Sequence, residues 1–153
     1  EEILDCILDD FQKGIVSNRP SDSELSSLIE VISPSEIMKL TFLRYVNNED
    51  SKYDRIAKII LIEQYINPRA GEFFLKYMIE EPLAYYKKVF SLMVAAKKIQ
   101  EDDYAAAAEE LHYGFLGLMM EYAHLKPEGQ YDKTMIQKMA AHVDFIYNHM
   151  RTV

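Results

Sequence analysis

Residues 103–125 read DYAAAAEELHYGFLGLMMEYAHL, and the spacing within this stretch decides the fold. Ala108, Leu111, Phe115, Leu118, Tyr122 and Leu125 follow one another at steps of 3, 4, 3, 4 and 3. Such steps lay one apolar seam along a helix that packs against other helices. His112, Leu116, Met119 and Ala123 widen the apolar arc past half the circumference, leaving Glu109, Glu110, Glu121 and His124 to water. A helix with that much apolar surface has to be covered from two directions. One cover is its own domain and the other is expected to be a second subunit. The last segment repeats the pattern, with Ile136, Met139, Val143, Ile146 and Met150 at steps of 3, 4, 3 and 4. Leu111, Leu118 and Tyr122 with Ile136, Met139, Val143, Ile146 and Met150 are therefore the expected residues of a homodimer interface.

Outward from this stretch, the composition bounds the rest. The chain has 153 residues, 49% hydrophobic and 27% charged, which suits a globular domain with a sizeable core. Only 5 Gly and 5 Pro interrupt it, so long helices are easy to place and a sheet is not. The net charge of −8 argues against nucleic-acid binding by this chain alone, because phosphate contacts need clustered Lys and Arg. Cys6 is the single cysteine, so an internal disulfide is ruled out and a reducing, cytoplasmic setting is expected. No apolar run approaches the length of a membrane span.

Local signals divide the chain into about eight helices. Ile3, Leu4, Ile7, Leu8, Phe11 and Ile15 stripe an opening helix that Gly14 weakens and Pro20 closes. Ser21 with Glu24 forms a capping box; Ser33, Pro34 and Glu36 form another. The helix begun at Ser33 carries Ile37, Leu40, Thr41, Arg44 and Tyr45, with Phe42 at its margin. A polar break at Asn47–Ser51 precedes a helix over 52–66, and Asn67–Pro68 ends that and caps the next. Glu81–Pro82 is read as a further break between helices at 68–79 and 82–98. Pro127–Gln130 is the loop into the final helix. Without repeats or a dividing linker, 1–153 reads as one all-α domain.

Candidate chemistry is thin. Glu-x-x-His occurs twice, at Glu109/His112 and Glu121/His124, in the spacing that di-iron bundles use from two helices. Here both pairs lie on one helix, twelve residues or roughly 18 Å apart, so no metal site is expected. His112 alone lies within the apolar arc, as a core histidine or a pocket contact. No nucleophile–base order and no Gly-rich phosphate loop is present; no enzyme activity and no cofactor is expected. The unusual feature is the load of 11 Tyr, 7 Phe and 8 Met. Phe42, Tyr45, Tyr65, Phe74, Tyr77, Met78, Tyr86, Phe90, Met93, His112, Phe115 and Met119 are the candidate lining of a ligand pocket. Flat rings and adaptable thioethers suit an apolar ligand, and the alternative is plain core filling. The ligand expected there is flat or lipophilic with at most one anionic or hydrogen-bonding end, anchored by Arg44 or His112.

Stretches spanning essentially the whole chain resemble the regulatory domain of TetR-type transcriptional regulators. Glu1–Glu2–Ile3–Leu4 is similar to the run joining the DNA-binding head to that domain. Ile59–Tyr86, IILIEQYINPRAGEFFLKYMIEEPLAYY, resembles the family's middle helices, residues 102–122 its penultimate one and the final segment its last. Where many relatives have a Gly before that helix, this chain has Lys97–Lys98. The resemblance implies a homodimer in which the last two helices of each subunit form a four-helix bundle. It implies an effector pocket in each subunit, and residues 1–13 as the helix connecting to an absent helix-turn-helix that binds operator DNA. The expected function is a ligand-responsive regulator, usually a repressor. Two other readings stay open: a helical adaptor that binds a partner protein through an apolar groove, and a ferritin-like oxidase whose ligand pattern fails.

Overall fold

The computed structural model describes the backbone of residues 2–17, 19–46, 51–125 and 133–151, and the side chains of 3–14, 19–40, 42–43, 55–121 and 133–151. It is all-helical, with no strand among the described residues. The elements are α1 (Glu2–Ser17), α2 (Asp22–Val31), α3 (Pro34–Val46), α4 (Ser51–Glu63), α5 (Pro68–Phe73), a π-helical turn (Phe74–Glu80), α6 (Glu81–Ala95), α7 (Tyr104–Leu125) and α8 (Lys133–Met150). No described helix is long and apolar enough to cross a membrane.

The helix starts lie where the capping chemistry puts them. Glu24 accepts from the Ser21 amide at 2.7 Å while Ser21 Oγ accepts from the Glu24 amide. Ser33 and Glu36 repeat the exchange at 3.1 and 3.2 Å, with Pro34 opening α3. Hydrogen bonds from Ser33 hold the Glu36 carboxyl below its ordinary range. Asn67 accepts from the Arg69 amide at 3.0 Å ahead of Pro68. The end of α6 is closed by Lys97, whose φ of 58° lets its amide reach Val94 O while that of Lys98 reaches Met93 O. This pair of bonds is the Schellman closure usually given to glycine.

One expected break is absent. Pro82 ends nothing: α5, the π-helical turn and α6 run on as one rod over 68–95, so the described residues form seven rods where about eight helices were expected. A proline ring clashes with the carbonyl four residues back, here Met78, and supplies it no N–H. Widening the helix by one residue accommodates both problems, and Glu81 N–H reaches back five residues to Lys76 O. The wider turn keeps the rod continuous where an α-helix would kink or stop.

The core is in two parts. The larger gathers Leu25 and Ile29 from α2, Met38 and Phe42 from α3, Phe90 and Met93 from α6, Leu111 and Phe115 from α7, and Met139, Val143 and Ile146 from α8. The smaller joins Leu8 and Phe11 of α1 to Ile56 and Ile60 of α4 and to Phe73, Tyr77 and Met78. Each such side chain, fully covered, contributes about 1.5–3 kcal/mol. Phe42, read as marginal, is buried, whereas Leu40 is exposed, so α3 turns its 35/38/42 face inward. A polar clip fixes that rotation: Asp144 of α8 accepts from buried Ser35 at 2.9 Å and pairs with Lys39 at 2.6 Å.

α7 lies between α6 and α8. Glu121–Lys138 at 2.7 Å and His142 Nε2 donating to Glu110 O at 3.2 Å set α7 and α8 antiparallel. His142 fills the notch over Gly114, where an added Cβ would come within 2.1 Å of Nε2. Ile99 and Arg151 form a bridge, with Gln100 N–H on Met150 O at 2.8 Å, tying the turn after α6 to the end of α8.

The residues expected at a subunit interface are placed as follows within the single chain. Leu111, Met139, Val143, Ile146 and Met150 are buried within the single chain, and Leu118 and Ile136 are half-buried against the same cluster. The seam of α7 meets the seam of α8 of the same chain. Tyr122 lies outside the described side chains. What this helix pair leaves open is its outer flank: Tyr113 (48% exposed), Met120 (45%) and Phe145 (64%), with exposed Gly117 between.

Candidate functional site

Buried His112 sits where the two cores meet. Its position on α7 follows from the apolar arc of that helix, which turns residues 108, 111, 112 and 115 inward together. Nε2 donates to Met78 O at 3.0 Å, the carbonyl that Pro82 leaves without a donor in an α-helical register. Desolvation lowers the His112 pKa, partly offset by that backbone bond. The ring is therefore neutral near pH 7, with its proton on Nε2 and an acceptor at Nδ1.

Aromatic rings continue from it across three helices. Tyr86 of α6 lies 5.8 Å from His112, and Phe115 another 5.8 Å from Tyr86, edge to face. Phe42 of α3 lies 5.5 Å beyond Phe115. On the outer side Tyr113 is 5.6 Å from His112. Tyr85 stands 5.9 Å from Tyr86 and carries the Arg19 guanidinium 5.5 Å above its ring, with Arg19 also 3.7 Å from Glu81. Burial pushes the Tyr86 phenol well up, Tyr85 adds to the rise, and Arg19 opposes it. Tyr86 thus keeps its proton and can donate as well as accept.

Phe42, Phe90, Met93 and Phe115 belong to the larger core, with Tyr86 and Met119 packed against it. Tyr77 and Met78 belong to the smaller, with Phe74 at its margin. His112 joins the two groups through Met78. Tyr65 is not brought to them: α4 ends at Glu63, and Tyr65 stands 84% exposed in the turn that follows. Tyr45, Thr41 and Arg44 lie outside the described side chains. Gln64 donates its amide to Leu61 O at 3.1 Å.

The arrangement offers stacking faces, an imidazole acceptor and a phenol in a low-dielectric setting, where each hydrogen bond is strong and each unpaired group costly. Glu109 and Glu121 pair with Lys87 and Lys138, and among the described residues no three His, Cys, Asp or Glu side chains converge to hold a metal. Sequence reasoning named His112, Phe42, Tyr86 and Phe115 as pocket lining but not Tyr85, Tyr113 or the Met78 carbonyl, for which Glu81–Pro82 was the visible signal. No protein-family model, curated protein or solved structure matches the chain.

Proposed function

We propose that this chain is the effector-sensing and dimerising part of a ligand-responsive transcriptional regulator of the TetR type, acting in the cytoplasm and usually as a repressor. The observation that carries the reading is buried His112, hydrogen-bonded to Met78 O within an aromatic array from Phe42 to Tyr113. A lipophilic or aromatic effector with one hydrogen-bonding end suits these groups, because it would stack on Tyr86 and Phe115 and address His112 or the Tyr86 hydroxyl. The all-helical architecture and the antiparallel α7–α8 pair fit the resemblance as well. A second copy would pack on the outer flank, through Tyr113, Met120 and Phe145, to complete a four-helix bundle. Operator DNA would be bound by a helix-turn-helix ahead of α1, because this chain itself carries a net charge of −8.

The test is a thermal-shift screen of flat lipophilic compounds on this chain. A true effector at a hundredfold excess over its Kd stabilises the fold by about 2.7 kcal/mol, and His112→Phe weakens that shift. No stabilising compound, or a hit indifferent to His112, removes the sensor reading. The adaptor then stands. It has its own support in Ile62, Tyr65 and Ile66, three apolar side chains exposed together around the end of α4.

A further inference from the structure

We infer that the π-helical turn Phe74–Glu80 is a register switch held by His112, through which occupancy at the His112 ring is transmitted to α1. π-Helical turns are rare and recur at functional sites, since they return to the α register by the movement of one residue. In this rod Pro82 opposes that return, and the Met78 carbonyl it leaves without an α-helical donor is claimed by His112 from another helix. The two groups together hold the wide register. A molecule that takes the Nε2 proton for its own hydrogen bond removes one of them.

The far side of the turn is coupled to α1 by one buried cluster and one surface ion pair. Tyr77 and Met78 share one buried cluster with Leu8 and Phe11. Phe73 stands 4.5 Å from Tyr77 and 6.1 Å from Phe11, ring to ring. Arg69 on α5 pairs with Asp5 on α1. A change of register ahead of Glu81 turns the 68–73 segment about the rod axis, since each residue added or removed rotates a helix by about 100°. Phe73 and Arg69 then move with it, and α1 loses two of its anchors. Which molecule reaches the ring rests on the ligand-sensing reading; the coupling does not, and it is measured with no ligand present.

Hydrogen–deuterium exchange on the whole chain tests it. His112→Phe keeps an aromatic ring but leaves Met78 O without its donor. Amides across 74–83 and across 3–14 should then exchange about tenfold faster or more, the size expected for one buried bond lost, while 133–150 stays as in the parent. His112→Gln, which restores a donor near Nε2, should bring both segments back towards the parent. Met139→Ala, a cavity in the larger core, is the control for general loosening. The switch is overturned by an unchanged 3–14 segment in His112→Phe, by a pattern matching Met139→Ala, or by His112→Gln exchanging as fast as His112→Phe. Should His112→Phe not fold, Pro82→Ala reads the same coupling from the other end. Its new N–H returns Met78 O to the helix, and exchange across 3–14 must change; an α1 that exchanges as in the parent overturns the switch.

Discussion

Gly114→Ala probes the closest approach of α7 and α8. The new Cβ would lie 2.1 Å from His142 Nε2, 2.7 Å from Cε1 and 2.8 Å from Cδ2, so the ring has to leave its notch. Leaving breaks the bond to Glu110 O, which contributes about 0.5–1.5 kcal/mol. It also breaks the edge contact with Phe115, at 6.4 Å between centroids, which contributes about 0.5–1.5 kcal/mol. Against these, Ala gains roughly 0.8–1.0 kcal/mol over Gly in a helix interior. The single variant should therefore lose about 0–2 kcal/mol. A double-mutant cycle is sharper. With His142→Ala the notch is empty, and Gly114→Ala then delivers the helix gain alone. The coupling between the two sites should be about 1–3 kcal/mol, against the few tenths expected of independent sites. Urea melts of the four proteins at one protein concentration measure it. Gly117→Ala, whose Cβ meets nothing within 4 Å in its own chain, is the internal reference in the monomeric Phe145→Glu background; there it should raise Tm by about 2–4 °C. Additivity of Gly114→Ala and His142→Ala to within about 0.5 kcal/mol would refute the described register of α7 on α8.

Other outcomes follow from the same geometry. Lys97→Gly should stabilise the fold by about 1 kcal/mol in thermal melts, because Lys97 holds a φ of 58° that costs a side chain and not glycine; a lower Tm counts against the closure described. The Asp144 carboxyl is held below its ordinary range by Lys39 first and Ser35 second. A carboxylate lowered on folding adds stability that is present above its unfolded value, near about pH 4, and lost as pH falls through its folded value. The Tm gap between the parent and Asp144→Asn should thus be open at neutral pH and close in acid. It should stay under about 1 kcal/mol, since the ion pair is half in water, and a gap that widens on acidification contradicts the clip. Phe145→Glu should give a folded monomer by light scattering where the parent is a dimer, whereas Leu111→Glu, placing a charge at a fully buried site, should abolish the cooperative melt. A parent that is monomeric at micromolar concentration removes the dimer.

Much of the helical layout was legible before any tertiary information. Ser21/Glu24, Ser33/Pro34/Glu36 and Asn67/Pro68 mark helix starts because capping is local chemistry, settled within a turn. The inward faces of α7 and α8 were legible for a similar reason, since periodicity states which side of a helix needs cover. Pro82 was misjudged by the same local logic. It does forbid a helical donor to Met78, but a widened turn and a histidine from another helix together accommodate it.

By itself, then, the sequence determined an all-helical chain, the three caps named above, the buried faces of α7 and α8 and the placing of His112 in an apolar arc. Only the tertiary structure decided what covers those faces. A seam such as Leu111–Phe115 or Met139–Val143 has the same spacing whether it meets its own chain or another copy. The structure places both seams together in one core and turns Tyr113, Met120 and Phe145 outward. It likewise decided that His112 reaches Met78 and that Tyr65 stands apart, because each depends on how distant helices are set against one another. Hydrogen-bonding need is written residue by residue; the partner that meets it is chosen when the helices pack.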